Sequence, residues 1–238
     1  MQDQELQVQI AWACRILARQ GHTDFTLGHV SGRGAGDIIY MKRNGLGLNE
    51  VSPDDVLTID LNGRKLAGQG NVHLEAVLHT EVYKVRSDVG AVIHTHPPYA
   101  VALGATTAHL EFLNHDAVLF HDGVAVFDDT VELITSAGQG QAVAAALGSH
   151  RAVLLRNHGV LVVGKDVPWA VITALTLERA VQIQSIAESL GPLQPFAQET
   201  AKQLFPAKYK DKFIVSYWNY LIRQLRGHGL AAGMPAES

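Results

Sequence analysis

Three histidines are spaced so that they could bind one divalent metal ion. His94 and His96 close an apolar segment that we predict to be a buried strand, and side chains at i and i+2 of a strand lie on the same face. His158 lies between two further apolar segments, where a turn could aim a third imidazole at the same point. Three protein ligands with an open position are typical of a catalytic metal site. The alternative is a pair of strand-end histidines bonded to backbone and a turn histidine in solvent.

Other titratable groups could transfer protons near such an ion. The chain has 12 histidines, and histidine is both the commonest metal ligand and the usual proton carrier near neutral pH. Glu75 and His79 are four residues apart, on one face of a predicted helix. Glu75 could be a fourth ligand or a general base, the alternative being a solvated helix carboxylate. His121 precedes a predicted turn at Gly123 and is a further candidate, with a solvent-exposed turn histidine as its alternative.

Composition argues against several classes of protein. Hydrophobic residues make up 47% of the 238 residues, enough for a sizeable core, and charged residues only 18%, which fits a surface partly covered by other subunits. The net charge of −4 and the lack of a Lys/Arg run argue against a nucleic-acid partner. The polar N-terminus does not resemble a signal peptide, and no window reaches the ~18 apolar residues of a membrane span. The single cysteine, Cys14, fits a buried helix position. We expect a soluble cytoplasmic protein without membrane contact.

Hydrophobic periodicity predicts helices and strands that alternate along the chain. Helices are predicted over residues 3–20, 73–87, 130–147, 168–190 and 198–225, with a short one after Pro97-Pro98. Strands are predicted at 56–60, 90–96, 117–127, 151–155 and 160–163, with a glycine-tipped hairpin over 25–40. Because hairpins imply antiparallel pairs, we predict an α/β fold of three layers, α/β/α, around a mainly antiparallel sheet. Residues 1–192 would form the metal-binding domain, and 193–238 a helical aromatic tail.

The combined motifs resemble those of the class II aldolase/adducin family. They are Gly28-His29-Val30-Ser31, an acid (Glu75) 19 positions before His94-Thr95-His96-Pro97, and Asn157-His158-Gly159 between apolar strands, within a resemblance that covers about residues 5–190. The resemblance implies a central, mainly antiparallel sheet with helices on both sides. It also implies that His94, His96 and His158 bind the metal and that Glu75 carries a proton or joins the ligands. Family members are usually tetramers with sites between subunits, where an aromatic tail could cover a neighbour's site.

Departures from the sugar-phosphate aldolases of this family bear on the substrate. His29 stands where those enzymes have an Asn, and His73-Leu74 stand where they have a pair of serines that bind phosphate. The nearby loop reads Asn44-Gly45-Leu46-Gly47 rather than presenting a Thr/Ser-Gly pair. A phosphate dianion needs convergent N–H and O–H donors, so these changes argue against a phosphorylated substrate. The pattern resembles more closely the family's metal-dependent decarboxylases of hydroxylated aromatic or heteroaromatic carboxylates.

We therefore predict a carboxy-lyase that works through a metal-stabilised, enolate-like intermediate. One divalent ion per subunit is expected, Mn²⁺ or Zn²⁺, with Fe²⁺ or Co²⁺ also suited to the ligands. Glu75 is the first candidate for proton delivery, followed by His29 and His121. The predicted substrate contacts are Arg33, Lys42, Asn44 and Tyr217, although ordinary surface charge would explain Arg33 and Lys42, and packing would explain Tyr217. The partners expected are a small carboxylated substrate and further copies of the chain, in a homotetramer or a higher homo-oligomer.

Two alternatives stay open at this stage. One is a class II aldolase that cleaves a sugar or a hydroxy-keto substrate, phosphorylated or not. The other is a non-enzymatic, adducin-like interaction module. An intact histidine triad is unexpected in such a module, so the triad counts against it.

Overall fold

The chain folds around one eight-stranded mixed sheet. The structure, a computed structural model, describes residues 2–235. The strand order is β4-β3-β2-β1-β5-β8-β7-β6, and every neighbouring pair is antiparallel except the parallel pair β6–β7. The strands are β1 (His29–Arg33), β2 (Ile38–Lys42), β3 (Val56–Asp60), β4 (Lys65–Ala67), β5 (Ala91–Thr95), β6 (Ala125–Phe127), β7 (Ala152–Leu155) and β8 (Gly159–Gly164).

Helices cover both faces of the sheet. They are α1 (Gln2–Arg19), α2 (Val77–Val85), α3 (Pro98–Gly104), α4 (Ala137–Leu147), α5 (Val167–Leu190), α6 (Gln198–Lys208) and α7 (Asp211–Gly227). Because strand side chains alternate between faces, Ile93 packs with the core beneath α1 and α5, whereas Val92 packs with the core beneath α2 and α4. The predicted three-layer α/β/α fold with a mainly antiparallel sheet is confirmed. Within residues 2–235, no helix has the length and apolar character needed to cross a membrane.

Two predicted elements are wrong in detail. Instead of strands throughout 117–127, residues Ala117–Phe120 form a 3-10 turn, because the Asn114 side chain accepts the backbone N–H groups of Asp116 and Ala117. The helix predicted from residue 130 begins only at Ala137, where Ser136 accepts the N–H of Gln139 as its N-cap. Residues 130–136, which precede this helix, instead contact Glu75 through the backbone N–H of Ile134.

The aromatic tail packs on its own body rather than standing apart. It forms two helices, α6 and α7, instead of the single predicted one. Tyr209, Ile214, Trp218 and Leu221 are buried in the same core as α1 and α5. The Tyr209 hydroxyl donates to the carbonyl of His115 at 3.1 Å, which ties the start of the tail to the body. A role for the tail at a subunit interface stays a prediction.

Candidate metal centre and its cavity

Adjacent central strands position the first site histidines. His94 on β5 is the direct cross-strand partner of His29 on β1, so the two rings lie on the same face, with centroids 5.0 Å apart. His96 follows the end of β5, where Pro97 and Pro98 stop the strand and start α3. Its ring centroid lies 4.8 Å from that of His94. The i, i+2 spacing thus brings both imidazoles to one point at the strand end.

The turn between β7 and β8 brings in the third histidine. Asn157 adopts a left-handed conformation with φ 57°, which reverses the chain and turns His158 toward the other two. The ring centroids of His158 lie 5.0 Å from His94 and 5.4 Å from His96. Gly159 is required by space, because a Cβ there would lie 2.4 Å from Cδ2 of His96 and 2.9 Å from the Thr95 carbonyl. The glycine therefore allows β8 to pass directly behind the edge that carries these histidines.

Glu75 completes the cluster from the opposite side. It lies in a 3-10 turn (Leu74–Ala76) before α2, and its Oε1 accepts the backbone N–H of Ile134 at 2.9 Å. Its Oε2 lies 3.7 Å from Nε2 of His94 and 3.6 Å from Nε2 of His158. Burial raises the pKa of Glu75, but the contacts with His158 and Ile134 outweigh burial and leave this pKa below its usual value. The acid is therefore held as a carboxylate facing the imidazoles.

The hydrogen bonds of His94 and His96 indicate that the cluster fits a cation. Nδ1 of His94 faces the carbonyl of Val160 at 3.1 Å, and Nδ1 of His96 faces a carboxylate oxygen of Asp24 at 3.0 Å. Both partners only accept, so each Nδ1 carries the proton and each Nε2 presents a lone pair. These two Nε2 atoms are 3.1 Å apart, too close for opposed lone pairs unless a positive charge lies between them.

Burial keeps these imidazoles neutral and ready to bind. It lowers the pKa of His94 well below the usual value, and the neighbouring His96 and His158 lower it further. Burial is also the main cause of the lowered pKa of His96. Ligand atoms of His94, His96 and His158 lie within 4.8 Å of one another, as do those of His29, Glu75 and His94. The residues present thus fit one divalent ion.

A cavity of about 590 Å³, here called the histidine cavity, opens beside the cluster. Its polar wall contains Asp24, His29, Asn44, His73, Glu75, His96, Asn157 and His158, and its apolar wall Leu27, Leu74, Pro98, Val101, Val131 and Leu133. Of the residues that the structure describes, no serine, threonine or tyrosine lines it. Donors for a bound anion must therefore come from imidazole, amide and backbone groups.

Lys42 lies just behind the wall of the histidine cavity. It is fully buried on β2, and its Nζ lies 3.3 Å from Nε2 of His73 and 3.3 Å from the carbonyl of Thr26. Within residues 2–235, no carboxylate lies within 4 Å of this Nζ. Burial lowers the pKa of Lys42, and burial together with Lys42 lowers the pKa of His73 to about 4. A buried cation without a carboxylate is thus one side chain away from the cavity.

Three predicted site residues lie elsewhere. The guanidinium of Arg33 donates to the carbonyls of Tyr83, Arg86 and Val89 at the end of α2, and does not line the cavity. His121 packs against Phe205 of α6, with ring centroids 4.7 Å apart. Tyr217 lies in a separate cavity between α5 and the tail. Within a single chain, none of these three side chains lines the histidine cavity, so their roles at the site stay predictions.

Asp24 belongs to the site but was not expected from the sequence. It lies in the turn before β1 and orients His96, from which it is separated by 72 residues. A carboxylate that accepts from the Nδ1–H of a metal-binding histidine fixes the tautomer of that histidine and raises the basicity of its other nitrogen. No local spacing links the two residues, and the only signal is an acid shortly before Gly28-His29.

Comparisons with known proteins agree with this geometry. The sequence profile of the Class II Aldolase and Adducin N-terminal domain matches residues 8–185. A 3,4-dihydroxyphthalate decarboxylase from Arthrobacter keyseri is 32% identical over 197 residues, 76% of this chain and 78% of that protein. A 4-hydroxy-3-prenylphenylpyruvate oxygenase/4-hydroxy-3-prenylbenzoate synthase from Streptomyces roseochromogenus subsp. oscitans is 32% identical over 154 residues, 64% of this chain and 56% of that protein. The chain thus spans little more than half the length of the latter.

Similarity also extends to an aldolase and to a solved structure. An L-fuculose phosphate aldolase from Methanococcus maripaludis is 28% identical over 181 residues, 74% of this chain and 94% of that protein. The crystal structure of an aldolase II superfamily protein from Pseudomonas syringae superposes with a TM-score of 0.87 at 27% identity, covering 96% of this chain and 95% of the other. This structural match extends beyond residues 8–185.

Proposed function

We infer the function from one premise: the chain belongs to the class II aldolase and adducin family. We propose that it is a metal-dependent carboxy-lyase that decarboxylates a hydroxylated aromatic or heteroaromatic carboxylate. The observation that carries this proposal is the histidine cavity, whose described lining contains imidazoles and apolar side chains but no hydroxyl group. A flat carboxylated ring suits such a lining better than a phosphate dianion does.

The residues proposed to hold the ion are His94, His96 and His158, with Glu75 at the fourth side. Mn²⁺ or Zn²⁺, one per subunit, suits three imidazoles and a carboxylate, and Fe²⁺ or Co²⁺ is compatible with the same set. When bound, the ion supplies a Lewis acid that stabilises negative charge on a substrate oxygen. Asp24 and the Val160 carbonyl hold two of the imidazoles in the required tautomer.

Glu75 is proposed to carry the proton. Its carboxylate can accept the proton of the substrate hydroxyl and return it to the ring carbon. The bond between that carbon and the carboxyl group breaks, CO₂ leaves without the bonding electrons, and the carbon takes the proton from Glu75. The Ile134 N–H holds the other carboxylate oxygen, so Oε2 remains the atom directed at the imidazoles.

Charge behind the cavity favours an anionic substrate. Among residues 2–235, no carboxylate pairs with Lys42, and a buried cation of this kind is costly. An anion bound beside His73 would be separated from the Lys42 ammonium by only one imidazole. Its negative charge would offset part of the cost of burying that cation. Asn44, which lines the same wall, is proposed as a further polar contact, because its Oδ1 accepts the N–H of Gly45 and its amide N–H₂ remains available for a carboxylate.

Aldol cleavage is the second candidate, and the Methanococcus relative favours it. The same metal site could stabilise an enediolate, with Glu75 again moving the proton. The described lining of the histidine cavity, however, offers no hydroxyl pair to a sugar phosphate. The adducin-like alternative does not account for three histidines and a glutamate brought together beside one cavity.

We also propose that the enzyme works as a homotetramer. Leu27, Leu74, Val131 and Leu133 line the mouth of the histidine cavity and are between 50% and 71% exposed in the single chain. Apolar side chains grouped at such exposure are typical of surfaces that another subunit covers. Light scattering on the purified protein tests this, and a monomer at micromolar concentration would contradict it.

The deciding experiment is CO₂ release. Purified protein with Mn²⁺ or Zn²⁺ is offered hydroxybenzoates, phthalates and pyridine carboxylates, and separately fuculose phosphate and ribulose phosphate. We expect metal-dependent CO₂ release from at least one carboxylate and no cleavage of the sugar phosphates. Glu75→Gln should slow release by about 100-fold or more while the Tyr217→Phe control keeps the rate. Sugar phosphate cleavage without CO₂ release would replace this proposal with the aldolase.

A further inference from the structure

A buried chain of hydrogen bonds runs from the histidine cavity into the core beneath α2. Nδ1 of His29 lies 2.6 Å from Nε2 of His79, and Nδ1 of His79 lies 2.6 Å from Oγ of Ser31. Oγ of Ser31 lies 2.9 Å from the hydroxyl of Tyr83. All four side chains are at most 2% exposed. The proposed reaction uses none of the last three, so their arrangement needs another explanation.

The inner end of the chain sets its direction. Among residues 2–235, Ser31 is the only hydrogen-bond acceptor beside the Tyr83 hydroxyl. The backbone of Val92 also contacts this hydroxyl, but it lowers the pKa of Tyr83 and therefore acts as a donor. If Ser31 donated to Tyr83, the buried O–H of Tyr83 would have no acceptor, and buried donors are rarely left unpaired. Tyr83 therefore donates to Ser31.

Each following bond is then determined. The Ser31 hydroxyl donates to Nδ1 of His79, so His79 carries its proton on Nε2. That proton is donated to Nδ1 of His29. A neutral His29 must therefore carry its own proton on Nε2, the ring nitrogen left free beside the cavity wall. Burial first, and neighbouring imidazoles second, lower the pKa of His29 well below its usual value, which agrees with a neutral ring.

We propose that Tyr83, Ser31 and His79 hold His29 in the Nε2–H tautomer, so that His29 donates a hydrogen bond to a substrate carboxylate oxygen and does not bind the metal. The use of this donor rests on the proposed decarboxylase function, whereas the tautomer itself does not. Geometry alone allows two clusters, and His29 belongs to the second, with Glu75 and His94. The direction of these hydrogen bonds excludes the second cluster as a metal site, because a protonated Nε2 of His29 has no lone pair for a metal. Tyr83, Ser31 and His79 act as positioning residues.

The wild-type protein gives the first test. Full-length ¹⁵N-labelled protein loaded with Zn²⁺, without substrate, is studied by long-range ¹H–¹⁵N correlation, with His29 assigned from a His29→Gln sample. We expect the proton on Nε2 of both His29 and His79. A proton on Nδ1 of His29, or a metal-bound Nε2, would overturn the proposal. This reading needs no activity, so it is separable from a failure to release CO₂.

Variants of Ser31 give the second test. Ser31→Ala should leave Zn²⁺ content unchanged, mix the two tautomers of His29 and lower kcat/KM for the carboxylate substrate about tenfold. Ser31→Thr keeps a hydroxyl, so it should show the wild-type tautomer of His29 and the wild-type kcat/KM. Ser185→Ala in α5 is the control and should change neither the tautomer nor kcat/KM. Loss of activity with an unchanged tautomer would assign Ser31 a merely structural role and overturn the proposal. If the Ser31 variants do not fold, the wild-type spectrum decides alone.

Discussion

Two cavities of nearly equal size differ sharply in what they could do. The histidine cavity measures about 590 Å³, and the cavity lined by Tyr209, Tyr217 and Tyr220, here called the tyrosine cavity, about 610 Å³. In the tyrosine cavity, polar groups satisfy one another: Arg179 pairs with Asp116 at 3.0 Å, and Tyr209 donates to a backbone carbonyl. In the histidine cavity, the Nε2 lone pairs of His94 and His96 face each other at 3.1 Å, and the Glu75 carboxylate lies beside His94. This convergence of lone pairs, rather than volume, distinguishes the candidate site.

The largest effect should follow from removing a converging lone pair. His94→Ala deletes a ligand from the centre of the cluster, so divalent metal affinity and CO₂ release should fall together. The loss in affinity should exceed the roughly 10- to 100-fold that loss of a ligand's hydrogen-bond partner costs. Metal content by elemental analysis and titration calorimetry measure it. Tyr217→Ala is the matched change in the tyrosine cavity and should retain the metal. If His94→Ala kept its activity, the histidine cavity would not be the site of the reaction.

A smaller but still large effect is expected from Gly159→Ala. The added Cβ would come within 2.4 Å of the His96 ring and 3.1 Å of the His94 ring, so the two imidazoles cannot keep their present positions. We expect metal affinity to fall about 10- to 100-fold, comparable to loss of a second-layer contact. Gly138→Ala in α4 is the control, because among residues 2–235 the added Cβ meets nothing within 4 Å beyond its neighbours and the backbone of its own helix. Unchanged metal affinity in Gly159→Ala would indicate that the close packing of β8 does not position the ligands.

Local spacing was sufficient to predict that His94, His96 and His158 come together. His94 and His96 could be paired because an apolar run ending in His-x-His implies a strand with both rings on one face. His158 could be added because Asn157 and Gly159 mark a turn between two apolar strands. The family resemblance and the three-layer fold are also confirmed. Both predictions rest on local properties of the sequence: short motifs for the family, and alternating periodicities and hairpin turns for the fold.

Long-range side-chain contacts could not be predicted in this way. Arg33 lies in the predicted hairpin, where ordinary surface charge would explain it, yet its guanidinium donates to carbonyls at the end of α2. Ordinary surface charge would explain Lys42 in the sequence, but its side chain is fully buried behind His73. The bond from Asp24 to His96 joins residues far apart in sequence. Each depends on how separate elements meet in space, which periodicity does not encode.

Substitution of Lys42 tests whether the buried positive charge behind the histidine cavity contributes to substrate binding there. Lys42→Met keeps most of the length of the side chain and removes the buried cation, so KM for a carboxylated substrate should rise about tenfold, with metal content unchanged. The same change should raise the free energy of unfolding by about 1 kcal/mol or more, because the cost of burying the unpaired charge disappears. Lys165→Met, which removes an exposed cation beside Asp211, is the control and should change neither quantity appreciably. A lower KM in Lys42→Met would show that the buried charge opposes substrate binding.

The smallest expected effect concerns Tyr217, and it tests the comparison from the other side. In its own chain this side chain lies in the tyrosine cavity, is 43% exposed and does not line the histidine cavity. Tyr217→Phe should therefore change kcat/KM for CO₂ release by no more than about twofold, the range typical of surface substitutions. Steady-state kinetics at a protein concentration that preserves the oligomer measures the change, with Tyr220→Phe as the neighbouring control. A loss of tenfold or more confined to Tyr217 would mean that the tail of one subunit reaches the histidine cavity of another. The two cavities would then be separate only within a single chain, because assembly would bring the tyrosine of one copy to the metal of the next.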